Sequence, residues 1–389
     1  MKHRPATIVT ISGLLILGFL GVSAYVLPGI IDARFNRVLQ PAEEVSDEAR
    51  RVHQNLFVAD LHSDALLWNR DPARRQDRGH VDLPRMLEGN VALQVFTIVT
   101  RVPPTINLHQ TRDWGDLITL LAVAQGWPPR TWTSLPERTL YQVERLHRLE
   151  AESDGRFTIL RTAADIRAYL QRRGTEDKIA AGMLGIEGAH ALGGDLARLE
   201  HFFDAGIRMI APTHFFDNEW AGSAHGVQKG GLTERGRALI RKVEEYGMVL
   251  DLAHISPQAF DEALAWSTQP VVVSHTGVRG TCDNPRNLSD DQLRSVAAGG
   301  GVIGIGFWPV AVCGEDVAAI VRAIRHAVEV AGVDHVGLGS DWDGMVAAPF
   351  DAAGIPVLTE ALLADGFSEA DVARIMGGNV LRVLRTVLP

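Results

Sequence analysis

FVADLHSD, residues 57–64, is an apolar run that ends on an imidazole and a carboxylate. His62 and Asp64 stand at i and i+2, so in an extended chain both side chains leave the same face. Such a strand carries polar groups at its C-terminal end, and the pattern recurs along the chain. The strand candidates are FVADLH (57–62), VALQVFTIV (91–99), AAGMLGIEG (180–188), RMIAPTH (208–214), GMVLDLAH (247–254), PVVVSH (270–275), GGVIGIGF (300–307) and HVGLGSD (335–341), eight in all. Between most of them lie helical stretches such as DLARLEHFFDAG, TERGRALIRKVEEYG, SPQAFDEALAWS and EDVAAIVRAIRHAVEVAG, several opening on Asp, Ser or Thr and closing on Gly. Short β-rich runs alternating with longer helical ones predict βαβ units around a parallel sheet. The count predicts an α/β fold, a (β/α)8 TIM-type barrel over residues 53–389. A doubly wound open sheet is the competing arrangement. Residues 100–156 break the rhythm with Pro, Trp and a long helix, and are expected to pass over one rim.

A chain of 389 residues, 46% hydrophobic and 22% charged, has ample material for a large core. Its net charge of −9 offers no clustered Lys and Arg for a phosphate backbone, which argues against nucleic acid as a partner. Cys282 and Cys313 are the only cysteines, too few for a disulfide framework, although a single bridge stays open.

Residues 6–31 contain no charged side chain, and roughly 20 such residues suffice to cross a bilayer core. They read as a transmembrane or signal-anchor helix. Lys2 and Arg4 in the tail, residues 1–5, place that tail in the cytoplasm and the rest in the periplasm or outside the cell, while Arg34 and Arg37 oppose that orientation. The small residues VSA at 22–24 leave open a cleaved signal peptide and a secreted product. Residues 32–52 read as a linker and a leading amphipathic helix.

Strand ends of a (β/α)8 barrel meet at one face, where active sites are found. His62, Asp64, Glu187, His214, His254, His275 and Asp341 all occupy such ends or lie within two residues of them. Taken singly, each has an ordinary explanation: a satisfied polar histidine, a helix cap at Asp64, a turn at Glu187 or an Asx-turn at Asp341 and Asp343. Taken together, they would be costly to bury without a shared cation. Imidazole nitrogens and carboxylate oxygens in this mixture suit zinc or a similar divalent transition ion. The remaining histidines considered, including His53, His80 and His326, read as surface or packing residues, and His190 as a loop residue.

The runs DLHSD, GIEGAH, APTH, DLAH, VSH followed by RNLSDDQL, and GSDWDG resemble, in order and spacing, the membrane dipeptidase family (peptidase family M19) over about residues 48–386. The resemblance implies a binuclear metal amidohydrolase on a barrel, hydrolysing dipeptides, often with a D-residue at the carboxyl end, and commonly homodimeric. Carried over by position, it implies two Zn2+ ions, with His62 and Asp64 on one, His254 and His275 on the other, and Glu187 bridging. It makes His214 the donor to the scissile carbonyl, Arg286 the clamp on the substrate carboxylate and Asp341 the proton carrier. Ser63, Ala253, Thr276 and Trp342 depart from residues frequent in the family, and none is an expected ligand. The implied reaction is attack of a metal-activated hydroxide on the peptide bond. Deacylation of an N-acyl amino acid, or opening of a lactam or lactone, would use the same metals with a different pocket. A non-catalytic binding protein is the remaining reading.

Overall fold

The computed structural model describes residues 26–40, 44–175 and 178–389. Eight parallel strands carry the fold: β1 (Val58–Ser63), β2 (Val91–Val99), β3 (Ala180–Glu187), β4 (Ile207–Ile210), β5 (Val249–Leu250), β6 (Val272–Thr276), β7 (Val302–Ile305) and β8 (Val336–Leu338). Their lateral order is β5-β4-β3-β2-β1-β8-β7-β6, so each neighbour is a neighbour in sequence and β1 pairs β8. The outer strands β5 and β6 meet through a parallel bridge between Asp251 and Val272. The result is a curled parallel sheet of the TIM type, and the order shows no reversal of the kind that defines a doubly wound sheet. A short strand, Phe157–Ile159, adds to the side of β3.

Helices begin where the capping chemistry places them. The Thr233 side chain accepts from the Gly236 N–H, Ser256 from Ala259 and Asp316 from Ala319, while Ser289 and Gln292 form a reciprocal capping box. On β1 the pleat sends Asp60 and His62 to one side, and Asp64 follows just past the strand end. Ala59 and Leu61 instead join an apolar cluster with Val380, Val383 and Leu384 of the last helix.

Two details differ from the sequence expectations, and a third expectation lies mostly outside the described residues. β4, β5 and β8 end at Ile210, Leu250 and Leu338, short of the polar residues expected at their tips, so His214, His254 and Asp341 are delivered by the loops that follow. Only part of residues 100–156 passes over the rim. Helix Leu135–Glu152 packs on the barrel and buries Val143, Leu146 and Leu149. Finally, residues 6–25 of the expected membrane segment lie outside the described residues, and residues 26–35 are helical. No helix among the described residues is long and apolar enough to cross a membrane.

Candidate metal centre

Glu187, at the end of β3, is the hub. Its Oε1 lies 3.0 Å from His254 Nε2, 3.4 Å from His275 Nε2 and 3.6 Å from His62 Nε2. Its Oε2 lies 3.4 Å from His214 Nε2. His62 Nε2 is also 3.6 Å from Asp64 Oδ1 and 3.9 Å from Asp341 Oδ1. All seven side chains expected from the sequence therefore converge, although their strands are far apart in the chain. Arg286 joins them, its Nη2 donating to the His275 carbonyl at 2.7 Å and standing 3.4 Å from His254 Nε2.

The donor set fits metal. Three groups, His62/Glu187/His275, Glu187/His214/His254 and His62/Asp64/Asp341, each hold their ligand atoms within 4.8 Å of one another. The shared members, Glu187 and His62, are what adjacent cation positions would need. His62 Nε2, which faces Glu187, is buried with no hydrogen-bond partner. His254 Nε2 and His275 Nε2 lie 2.9 Å apart, an arrangement that a cation between two lone pairs would relieve. His214 stands as near to Glu187 as the expected ligands do, so distance alone does not separate its role from theirs.

Surrounding groups aim these side chains. Ser274 Oγ lies 3.2 Å from His62 Nδ1 and 2.9 Å from His275 Nδ1. A hydroxyl oxygen has two lone pairs and can accept from both Nδ1–H groups, leaving both Nε2 atoms free to ligate. Thr97 Oγ1 donates to Asp64 Oδ1 at 2.6 Å. Asp60 accepts from the Ser340 N–H and hydroxyl, both at 2.7 Å, tying β1 to the loop that carries Asp341. Asp251 Oδ1 accepts from the Ala253 and Ser274 N–H groups, bracing the segments that bear His254 and His275. His254 and Asp341 have φ of 62° and 60°, left-handed conformations that ordinary residues adopt rarely and that turn their side chains out of the strand path.

The electrostatics carry the mark of an unbalanced buried cluster. Burial raises Asp341 to about 8, against the pull of His62 and Arg286. Burial likewise drives Glu187 well above the usual carboxylate range. His62 is driven down by burial but more strongly up by Glu187, Asp64 and Asp341, reaching about 10. Burial, with Arg286 and the neighbouring rings, holds His254 and His275 well below the usual imidazole value. Divalent charge would let the carboxylates ionise and the imidazoles stay neutral together.

The two aspartates of GSDWDG do different things. Asp341 faces the cluster. Asp343 is buried, accepts from the His80 and Val81 N–H groups at 2.8 and 3.1 Å, and pairs with Arg70 at 2.8 Å. Cys282 and Cys313 are disulfide-bonded. That bridge, with Asn287 Nδ2 donating to the Cys282 and Ala311 carbonyls, ties the loop bearing Arg286 to the segment after Trp308.

Sequence reasoning missed Asp60, Asp251, Ser274 and His225. Asp60 had a signal, since it shares the His62 face two residues earlier. His225 had none: it sits in an irregular loop, 97% buried, with its ring 5.3 Å from that of His254 and its Nδ1 bonded to the Leu108 carbonyl.

Imidazoles and carboxylates gathered around one shared glutamate at the C-terminal mouth of a parallel barrel are the kind of site a metal-dependent hydrolase needs. The family model for the membrane dipeptidases, peptidase family M19, matches residues 46–388. The chain belongs to that family and is a metallo-dipeptidase, a hydrolase acting on peptide bonds. A dipeptidase of Claviceps purpurea, tcpJ, is 30% identical over 79% of this chain and 69% of its own length. An uncharacterized dipeptidase of Schizosaccharomyces pombe is 29% identical over 79% and 73%. Among solved structures, a metallopeptidase from Rhodobacter sphaeroides, liganded with a phosphinate mimic of the dipeptide L-Ala-D-Ala, superposes with a TM-score of 0.68. It is 28% identical, and the match covers 85% of this chain and 99% of that one.

Proposed function

We propose that the protein is a two-zinc dipeptidase, anchored by residues 6–31, that cleaves free dipeptides outside the cytoplasm. His62 and Asp64 would hold one ion, His254 and His275 the other, with Glu187 shared. Bound there, a divalent pair supplies an acidified water and polarises the carbonyl to be attacked.

The chain's own residues supply the rest. Arg286 binds the substrate's terminal carboxylate through the guanidinium N–H groups not committed to the His275 carbonyl, which sets the scissile bond one residue away, beside Glu187. His214, 3.4 Å from Glu187, offers an imidazole N–H to the oxygen that gains charge as the carbonyl becomes tetrahedral. Asp341 takes a proton from the attacking water and returns it to the departing amine. The phosphinate dipeptide mimic bound by the Rhodobacter relative supports acceptance of a D-residue at the carboxyl end. The Cys282–Cys313 bridge supports an oxidising compartment, and therefore export.

The observation that carries this reading is the buried Arg286 guanidinium within 3.4 Å of a metal-competent histidine. A hydrolase of neutral amides or of lactones without a carboxylate has no need of a fixed cation there; an N-acyl amino acid shares the carboxylate, and a substrate panel separates it from a dipeptide. The test is metal analysis of the purified full chain together with turnover of a stereochemically varied dipeptide panel and the matching C-terminal amides. Two zinc ions per chain, with activity confined to free carboxylates, is expected. Equal turnover of acids and amides, or hydrolysis confined to N-acyl or cyclic substrates, would overturn it.

A further inference from the structure

We infer that one rim of the barrel mouth, built from helix 26–35 and helix Leu117–Ala124, rests on the lipid bilayer and holds the catalytic entrance beside the membrane surface. This rests on the anchored reading of residues 6–31.

Helix 26–35 has no slack between the apolar run and the barrel. Asp32 is 1% exposed, forms an ion pair with Arg70 Nε at 3.0 Å, and accepts hydrogen bonds from Arg78 Nε at 3.0 Å and Asn36 Nδ2 at 2.8 Å. Ile31 packs on the cluster formed by Leu67, Trp68, Ile118, Ala122 and Trp127. Arg37 and Val38 then pair with Ala347 and Ala348. A buried ion pair costs several kcal/mol to break, so this helix is a rigid extension of the catalytic domain.

Its outward side is apolar over the first turns and ends at the exposed Arg34, one turn beyond Ile30. Val26, Leu27, Ile30 and Phe35 are 48%, 53%, 58% and 46% exposed. Helix Leu117–Ala124, LITLLAVA, has no charged residue and buries Ile118 and Ala122. Leu117, Leu120 and Val123, which share a helix face at spacings of three, are 36%, 66% and 45% exposed, and Ile106 and Trp114 in the preceding loop are exposed too. The two helices adjoin, since Pro28, Gly29 and Gln125, the residue capping the second helix, line one cavity of about 100 Å3. Exposed Arg34, Arg37 and Arg112 suit the headgroup layer beside such a face.

Lipid is favoured over a second copy of the chain by what precedes Val26: residues 6–25 are uncharged and apolar and lead directly into this helix. The same rim reaches the active site. Leu108, in the loop with Ile106 and Trp114, accepts from His225 at 3.1 Å, and the His225 ring lies 5.3 Å from that of His254.

The test uses the full chain in proteoliposomes, with a fluorophore on Leu120→Cys or, on the distant exposed helix, Glu329→Cys, and nitroxide-bearing lipids as quencher. Quenching at least about twofold stronger at 120 than at 329 is expected for a side chain in the interfacial layer. Equal quenching at the two sites would overturn the inference, as would proximity of labels at 120 on two chains, which assigns the rim to a dimer. Alkaline carbonate washing of the same vesicles tests the anchor separately. A chain that stays in the membrane with an unquenched label keeps its anchor and loses this rim contact. A chain that is extracted loses both.

Discussion

Replacing Arg286 by Met separates a carboxylate clamp from a merely structural arginine. The guanidinium is buried, one Nη2–H is committed to the His275 carbonyl at 2.7 Å, and its face lies 5.8 Å from the Trp308 ring. Met keeps much of the volume and removes the charge. Losing one partner of a desolvated, hydrogen-bonded charge pair costs about 2–5 kcal/mol, or about 30-fold to several thousand-fold in kcat/KM. That loss applies to a dipeptide and not to its C-terminal amide, which has no carboxylate to bind. The assay is a cycle of two enzymes and two substrates, with bound metal measured in each preparation to show that the neighbouring metal centre is unchanged. The coupling between Arg286 and the carboxylate is expected to account for most of the dipeptide loss, and Lys at 286 to recover part of it, since it restores charge without the planar fork. Equal losses for acid and amide, with metal content intact, would refute the clamp.

Asp341→Asn is expected to retain metal and lose about 10²- to 10⁴-fold in kcat, the usual weight of general acid–base catalysis; a near-normal rate in steady-state kinetics would exclude proton transfer by this residue. Glu187→Gln removes the carboxylate common to two ligand groups, and metal analysis is expected to show occupancy falling at both positions rather than one. Asp343→Asn tests the buried brace: burial alone would raise Asp343, but Arg70 and His80 together hold it well below the usual carboxylate range. Its contribution is present above the unfolded value of about 3.9 and is lost as pH falls through the lower folded value. Urea unfolding is therefore expected to show the variant about 3–5 kcal/mol less stable near neutrality, with the gap narrowing below about pH 4; a gap independent of pH would contradict the ion pair.

Much of this protein is written locally. The alternation of strand and helix, the caps at Thr233, Ser256, Ser289 and Asp316, and the placement of polar residues at strand ends are properties of a few adjacent residues. They suffice to predict the eight strands of the barrel and the polar side chains that gather at its mouth. Strand lengths at β4, β5 and β8 were less legible, because residues compatible with a strand, such as Ala211, Leu252 and Ala253, continue beyond the point where the ladder ends.

What the sequence determined, then, was the inventory: which side chains could hold metal and which periodicity would carry them. Tertiary structure alone decided the pairings. It set Ser274 between His62 and His275, turned Asp341 inward and Asp343 against Arg70, brought His225 beside His254 and joined Cys282 to Cys313. The reason is range. Strand, helix and cap depend on residues within one or two turns of each other, whereas His62 and Ser274 are 212 positions apart and meet only because the sheet curls and brings its far strands round to β1.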